Sequence, residues 1–395
     1  MRVALAYSGG LDTSVAVKLL QMRWKAEVIT VSVDVGQDPR ELERIAEKAE
    51  QLGAIKHVHV DAKREFVEEY VFRSIKANGS YEGYPLSTAL ARYPIAKKLV
   101  EVARKEGADA VAHGCTGKGN DQFRFDLTIS ALAPELRIIA PIRELNLDRK
   151  TEIEFAKKHR IPVPVKRGKA YSVDANLWGR SIEGGCLEDP ATVPPEEIYE
   201  WTLPPEKTPK RPKMLSVKFK RGVPVSVDGK RMNGVELIQT LNKLAGRYGV
   251  GRIELIEDRI LGLKARENYE APAATVLLDA HRGLEQLVLT KQELYFKQIV
   301  DTTWADLVYS GLWFDPLRRD LDAFIDATQE RVTGEVLIEL NRGRCRVVGR
   351  SSPNSLYDEE LVSFDKFGFD QRDSERVIRL QALKTRILSR RWISS

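Results

Sequence analysis

Residues 1–165 alternate between short apolar runs and amphipathic segments, and this alternation narrows the choice of fold more than any other feature. Strand-like runs fall at Arg2–Ala6, Glu27–Val33, His57–Val60, Ala110–Ala112 and Arg137–Ala140. Between them lie helix-periodic stretches at Thr13–Arg23, Pro39–Leu52, Arg64–Ala77, Leu90–Glu106, Gln122–Ala133 and Arg149–Lys158. The rhythm is clearest in Glu43, Ile45, Ala46, Ala49 and Leu52, which share one face. Apolar strands each followed by a helix predict an α/β domain with a parallel sheet covered on both faces. Ligands of such sheets bind beyond the carboxyl ends of the strands, so those loops are the ones to search.

The rest of the chain reads differently. Pro190, Pro194, Pro195, Pro204, Pro205, Pro209 and Pro212 crowd one stretch, too densely for helices or central strands, and predict a solvated crossover. From Met214 an α+β unit follows, with hairpins at Ser216–Lys220/Val223–Val227 and Thr333–Leu340/Cys345–Gly349 and helices near 233–246, 272–288, 291–311 and 317–330. Val377, Leu380, Leu383 and Ile387 then form an apolar stripe on a terminal helix, which needs a cover; another subunit is the first expectation, the same chain the second. The expected domains are 1–165, 166–362 and 363–395.

Composition excludes several classes. No apolar run reaches the roughly 20 residues of a membrane span. Three cysteines, at 115, 186 and 345, make no disulfide framework and suit a reducing, cytoplasmic setting. The five histidines form no finger-like set with them, and His57 and His59 read as packing residues. A net charge of +6 is modest for 395 residues and does not by itself point to nucleic acid.

The sharpest motif is Ala6-Tyr7-Ser8-Gly9-Gly10-Leu11-Asp12-Thr13-Ser14, between the first strand and the first helix. Gly9 and Gly10 permit a tight turn, while Ser8, Thr13, Ser14 and the free amides of a helix start can wrap a pyrophosphate. The spacing is neither a dinucleotide fingerprint nor a P-loop, and the loop has no lysine for a γ-phosphate. Holding the β,γ-pyrophosphate as leaving group, with attack at the α-phosphorus, fits better than kinase chemistry. Two readings of Asp12 stand: a helix cap, or a carboxylate that meets Mg²⁺ directly or through water. Val33 and Asp34 end the second strand and would lie beside this loop.

The fourth strand runs into a loop bearing Gly114, Gly117 and Gly119, then Asn120, Asp121 and Arg124. Asn can donate and accept, Arg offers a fork for a carboxylate, and Asp takes an ammonium, a set that suits an amino-acid substrate. Other polar runs, Tyr84–Arg92, Tyr171–Leu177 and Ser181–Gly185, read as turns or as pocket hydroxyls, with Thr88 a plain N-cap. Glu257-Asp258-Arg259 reads as a surface ion cluster, Cys115 and Cys186 as small buried side chains, and Phe364, Phe367 and Phe369 as packing of the tail loop.

Taken in order, the Ser8–Ser14 loop, Gly114–Gln122 and Tyr171–Leu177 resemble a known family. The first is similar to the pyrophosphate loop of N-type ATP pyrophosphatases; the three together resemble the argininosuccinate synthase family over almost the whole chain. The resemblance implies an adenine-nucleotide alpha-hydrolase-like (PP-loop) domain, a synthetase domain and an oligomerisation helix. It implies ligation of L-citrulline to L-aspartate with ATP and Mg²⁺ through citrullyl-AMP, in a homotetramer without nucleic acid or membrane. ATP would contact residues 6–14, Val33 and Gly114. Thr116, Asn120 and Asp121 would meet aspartate, and Tyr84, Asn120, Arg124, Ser172, Ser181, Glu257 and Tyr269 would meet citrulline. Ala89 stands where many relatives carry a serine for citrulline, leaving neighbouring Thr88 or water to replace it; Ala265-Arg266-Glu267-Asn268 also departs from the family's pattern. No general base is evident, His113 being equally a packed histidine. The competing readings are a tRNA-adenylating enzyme with a related loop and a non-catalytic nucleotide-responsive module.

Overall fold

The computed structural model describes residues 1–37, 39–162 and 171–393, with the backbone alone at 39–43 and 393. The Glu43 side chain and the expected boundary at 165/166 therefore lie outside the described residues. Two compact units are present, Met1–Asn354 and Ser355–Ser395.

The first unit opens with β1 (Arg2–Ala6), α1 (Leu11–Arg23), β2 (Glu27–Asp34), α2 (Pro39–Gln51) and β3 (Lys56–Asp61). The predicted single helix near 64–77 is instead α3 (Lys63–Glu65), a π-helical turn at Phe66–Val71 and α4 (Phe72–Lys76). There follow α5 (Ser87–Lys105), β4 (Ala110–Ala112), α6 (Asp121–Leu132), β5 (Arg137–Ile139), α7 (Pro141–Glu144) and α8 (Arg149–Lys158). The five strands are all parallel in the order β3-β2-β1-β4-β5. Alternate residues face opposite layers: Val3 and Leu5 join Val15 and Leu19 of α1, whereas Ala4 and Ala6 join the cluster that holds Leu90 and Leu99 of α5. The strand order reverses between β1 and β4, so the loops leaving those strands flank a switch-point crevice.

Two antiparallel sheets complete this unit. β6 (Ser172–Asn176), β7 (Gly179–Glu183), β11 (Arg252–Asp258) and β12 (Lys264–Glu270) form one in the order β11-β12-β7-β6. This corrects the reading of these polar runs as turns and a surface ion cluster; one face of the sheet looks into a polar site, so apolar alternation is absent. β8 (Lys213–Lys220), β9 (Val223–Val227), β10 (Lys230–Arg231), β13 (Gly334–Asn341) and β14 (Arg344–Ser351) form the other, in the order β10-β9-β8-β13-β14. Both expected hairpins are present, with left-handed residues at Arg221-Gly222 and Arg342-Gly343 as two-residue turns require. The helices here are α9 (Gly234–Arg247), α10 (Pro272–Val288), α11 (Lys291–Tyr309) and α12 (Pro316–Gln329). Asn233 caps α9, Thr290 and Glu293 form a reciprocal cap on α11, and Asp315 with Pro316 starts α12.

The β6–β7 turn is fastened to the carboxyl edge of the parallel sheet. Leu177 N donates to Val35 O at 3.0 Å, Asn176 Nδ2 to Ser87 O at 3.0 Å and Trp178 Nε1 to Pro85 O at 2.8 Å. Gly36 is required there: a Cβ on it would stand 2.4 Å from Leu177 Cγ. The second unit holds α13 (Glu359–Val362) and α14 (Arg372–Leu388). Phe364, Phe367 and Phe369 are exposed rather than packed, and Val377, Leu380, Leu383 and Ile387 are all more than half exposed, at 51–70%.

The Pro-rich crossover is tied down by one carboxylate. Glu270, fully buried, accepts from the amides of Glu200, Trp201 and Thr202 at 2.8–3.0 Å, from Thr202 Oγ1 at 2.7 Å and from Arg180 Nη1 at 2.9 Å. Removing it leaves several amides without this acceptor and takes from buried Arg180 one of its two carboxylate partners. Glu270→Ala is expected to cost about 3–5 kcal/mol of stability, read as a lower urea midpoint. A midpoint within error of wild type would show that the crossover is anchored elsewhere.

Candidate active site

At the end of β1, Tyr7 N donates to Val31 O at 2.8 Å and the chain turns through Gly9 in the left-handed region into α1. Gly10 is the N-cap residue and supplies no side chain, so the first-turn amides face outward without a cap. This settles Asp12 against the capping reading: it sits in the first turn, beyond the cap position. Ser8 Oγ and Thr13 Oγ1 lie 3.2 Å apart across the loop, and Ser14, fully buried, stands 3.4 Å from Tyr7 OH. A cation absent from the loop sequence arrives from α2, where Lys48 donates to Gly9 O, with Ile45 one turn earlier beneath Gly9. The helical rhythm of α2 placed Ile45 on this face, and Lys48 follows it at i+3.

Gly114 closes the crevice from the other side. A Cβ there would lie 2.9 Å from Thr13 Cγ2 and 3.1 Å from Thr13 N, so the loop after β4 rests on the start of α1. Val33 is buried beside β1. Asp34 accepts from Gly36 N at 2.8 Å and pairs with Lys63, so it builds the β2 turn.

Asp12 has a carboxyl neighbour that sequence reasoning missed. Glu152, on α8, is only 2% exposed, and its Oε2 has no hydrogen-bond partner among the described residues. Burial, then the charge and hydrogen bond of Asp12, push the Glu152 carboxyl up to about 8. Burial also raises Asp12, opposed by Arg149. Mg²⁺ commonly binds through one or two carboxylates and substrate phosphates, and this pair fits that pattern. Among the described residues no group of three or more His, Cys, Asp or Glu side chains is placed to hold a metal alone.

The second half of the crevice gathers charges on a buried scale. Asp121, at the start of α6, accepts from Arg92 Nε at 2.7 Å and from Arg124 Nη1 at 2.9 Å; Arg92 Nη2 also reaches Asp174 at 2.6 Å. Burial opposes ionisation of Asp121, but the two guanidinium groups outweigh it and hold the carboxyl below the usual range. Arg124 is 3% exposed and its Nη2 has no acceptor among the described residues. A buried, unanswered guanidinium nitrogen is costly unless an incoming anion takes it, which makes Arg124 the strongest pointer to a carboxylate-bearing ligand.

Around it stand the other expected residues. Asn120 Nδ2 donates to Tyr309 OH at 2.7 Å, Tyr309 OH to Glu257 Oε1 at 2.7 Å, and Tyr269 OH to Glu257 Oε2 at 2.8 Å. Tyr84 stacks on Tyr269 with ring centroids 4.3 Å apart and accepts from Thr88 N at 2.6 Å. Burial pushes the Tyr84 phenol up to about 12. Ser181 lies opposite Tyr269 in the sheet, with Thr88 Oγ1 3.5 Å from its hydroxyl. α5 therefore begins at Ser87 after the left-handed Leu86, and Thr88 is not its N-cap. Ala89 is fully buried, and the neighbouring hydroxyl beside Ser181 is that of Thr88. Thr116 lies on the glycine loop between Gly114 and Asn120, half-buried. Ser172 lies at the exposed start of β6, where no described hydrogen bond joins it to the cluster.

His113 behaves as a packed histidine. It is 1% exposed, stacks on Phe125 and donates from Nε2 to Asp126 at 2.7 Å. Burial lowers its pKa, but Cys115 and Asp126 outweigh that and raise it to about 9. Against a doubly protonated ring, Nδ1 accepts from Cys115 N at 3.2 Å, a bond that needs its lone pair; the neutral Nε2–H form satisfies both contacts. Cys186 is exposed, with Tyr171 OH 3.2 Å from its sulfur, so it is not a buried filler; Cys115 is half-buried. Arg92, Lys48, Glu152 and Tyr309 were not assigned from sequence.

A parallel five-stranded sheet with a pyrophosphate-type loop at its switch point, facing a buried Arg/Asp/Glu cluster, defines a nucleotide-binding domain joined to an amino-acid-binding one. Comparisons with known proteins narrow this class. The Arginosuccinate synthase N-terminal HUP domain matches residues 2–162, and the Arginosuccinate synthase C-terminal domain matches residues 171–388. The chain is 58% identical over 387 residues to the argininosuccinate synthase of Methanocaldococcus jannaschii, covering 98% of each chain. It is 57% identical to that of Methanosarcina barkeri, covering 98% of this chain and 97% of the relative, and 56% identical to that of Pyrococcus furiosus, covering 98% and 93%. The chain belongs to the argininosuccinate synthase family.

The Asp12–Glu152 pair makes a pH prediction. An unfolded glutamate ionises near 4.5, whereas Glu152 holds its proton to about 8, so between those values the folded state binds the extra proton and loses stability as pH rises. Glu152→Gln is expected to remove this slope, its melting temperature gaining on wild type from about pH 5 to about pH 8. A melting-temperature gap constant across that range would refute the shared-proton assignment.

Proposed function

We propose that the chain is an ATP-dependent, AMP-forming carbon–nitrogen ligase that joins L-citrulline to L-aspartate, giving argininosuccinate, AMP and diphosphate. The observation that carries this reading is the pairing of a pyrophosphate-type loop at the switch point of the parallel sheet with the buried Arg124 Nη2, which has no acceptor among the described residues. Family membership supplies the identity of the two amino acids.

In this reading ATP binds through Ala6–Ser14, Val33 and Gly114. Thr116, Asn120 and Asp121 meet aspartate. Tyr84, Asn120, Arg124, Ser172, Ser181, Glu257 and Tyr269 meet citrulline, with Arg124 taking the carboxylate and Glu257 the ammonium. The citrulline ureido oxygen attacks the α-phosphorus, forming citrullyl-AMP and expelling diphosphate. The aspartate amine then displaces AMP. Mg²⁺, entering with ATP and held by Asp12 directly or through water, would neutralise charge on the departing diphosphate. The loop amides, Ser8 and Thr13 orient that group, and no covalent enzyme intermediate is needed. His113, engaged on both ring nitrogens, is not free to serve as the base; substrate carboxylates and phosphate assist deprotonation instead.

Supplying ATP, Mg²⁺, citrulline and aspartate should give AMP, diphosphate and the joined product together, with AMP release depending on citrulline. AMP or ADP release indifferent to both amino acids would sink the ligase reading. In the same assay Asp12→Asn should lose at least about a hundredfold in turnover with its fold intact; near-normal diphosphate release would reject its role. The exposed stripe of α14 supports association with other copies of the chain, in this reading as a homotetramer. Ending the chain before Ser374 should lower the mass in solution, and an unchanged mass would exclude the helix from assembly.

A further inference from the structure

We propose that Tyr309 is a positioning residue of the substrate site, its hydroxyl fixing the Asn120 amide and the Glu257 carboxylate as one hydrogen-bonded chain that presents both to the amino-acid substrates in a single orientation. The inference rests on the ligase reading above and adds a residue to it. Tyr309 is the last residue of α11 and is fully buried. Its ring stacks on Tyr81, centroids 3.7 Å apart at 9°, and its backbone carbonyl accepts from Arg124 Nε at 3.0 Å. Gly311 lets the helix end approach this closely, since a Cβ there would lie 3.1 Å from the Phe123 backbone and 3.2 Å from Arg124 N. Ring, carbonyl and hydroxyl thus engage three different elements.

The direction of the chain follows from donor arithmetic. Ile260 N donates to Asn120 Oδ1 at 3.0 Å, which fixes the amide so that Nδ2 points to the tyrosine. Nδ2 donates to the Tyr309 oxygen, so the hydroxyl's one proton goes to Glu257 Oε1. Asn120 keeps one N–H and one lone pair, and Glu257 keeps its remaining lone pairs, for ligands. Without the hydroxyl the amide can rotate and Glu257 loses a donor. A phenylalanine keeps the stack and the carbonyl contact, so the substitution removes this chain alone.

The chain also sets when Glu257 is charged. Burial raises its pKa, and the donors Tyr309 and Tyr269 with Arg124 and Arg259 pull it back. Glu267 on β12, itself pushed up to about 9 by burial and by Glu183 and Glu257, faces it as a second carboxyl, and the phenols of Tyr81 and Tyr84 complete its surroundings. Deleting the Tyr309 donor therefore raises the Glu257 pKa. The carboxylate must be ionised to hold an ammonium, so the acidic limb of activity moves to higher pH.

The test is Tyr309→Phe in the full chain, with all three substrates varied in turn. Expected is a fall of roughly tenfold in kcat/KM for citrulline, the size of one buried hydrogen bond to a charged group, with the KM for ATP within about twofold of wild type. The acidic limb of kcat/KM for citrulline should move to higher pH. Unchanged citrulline parameters, an unmoved limb, or an equal loss for ATP would overturn the proposal. Glu257→Gln is the second variant and serves if the phenylalanine form does not fold: its acidic limb should vanish, and a surviving limb would overturn the chain's link to Glu257. Wild-type protein without citrulline-dependent AMP would sink the ligase reading and this inference together; an active wild type beside an unaffected Tyr309→Phe would sink this inference alone.

Discussion

One buried guanidinium group, Arg124, and one half-buried, Arg92, set the terms on which the first unit is assembled. Taking Arg124 out of water costs several kcal/mol unless a fixed carboxylate answers it, and Arg92 bears part of the same cost. Asp121 answers both, and Asp174 answers Arg92 a second time. Those residues lie on α5, α6 and β6, so satisfying the charges draws a polar antiparallel sheet onto the end of a parallel one. The β6–β7 turn then makes backbone and side-chain bonds to the same edge. Apolar packing alone would leave the placement of so polar a sheet loosely specified, because a shift would cost it little; unpaired buried charges make any other placement expensive.

That arrangement also divides the crevice electrically. At the phosphate end, carboxyls at Asp12 and Glu152 share a buried corner and resist joint ionisation, a state that a divalent cation would relieve. Toward the amino-acid end, Asp121 is kept ionised and Arg124 retains an unused nitrogen. One end thus holds two carboxyls that Lys48 and Arg149 only partly offset, and the other holds a guanidinium nitrogen without an acceptor among the described residues, deficits that a cation and a carboxylate would relieve. Groups poised in this way are more costly to bury than apolar ones, and their cost is the expected signature of a site built for ligands.

Legibility in the sequence followed the physics of each element. The parallel strands, the phosphate loop and both hairpin turns were readable because burial on two faces and left-handed turns leave local marks. β6, β7, β11 and β12 were not, since strands that line a polar site carry hydroxyls and carboxyls on the face that would otherwise alternate. Asn120, Arg124 and the loop glycines stood out through their side-chain chemistry. Tyr309 did not: it ends an ordinary amphipathic helix 189 residues from Asn120, and nothing local distinguishes it from a core tyrosine. Glu152 was equally hidden, a charged residue in the first turn of a helix that usually faces water. Arg92 was visible only within a quoted run, its role resting on partners at 121 and 174.

The loop from Gly114 to Asn120 explains how two chemically different halves stay in register. Its first residue is wedged against Thr13, too close for any side chain, which fixes one end to the phosphate loop. Its last residue is held by Tyr309 and by Ile260 N, fixing the other end to α11 and to the turn after β11. The segment between the phosphate-type loop and the Asn120 cluster is therefore held at both ends. Attack at an α-phosphorus tolerates little misplacement of the incoming oxygen. The hydrogen bonds on Asn120 and the close approach of Gly114 to Thr13 thus belong to one short connected segment.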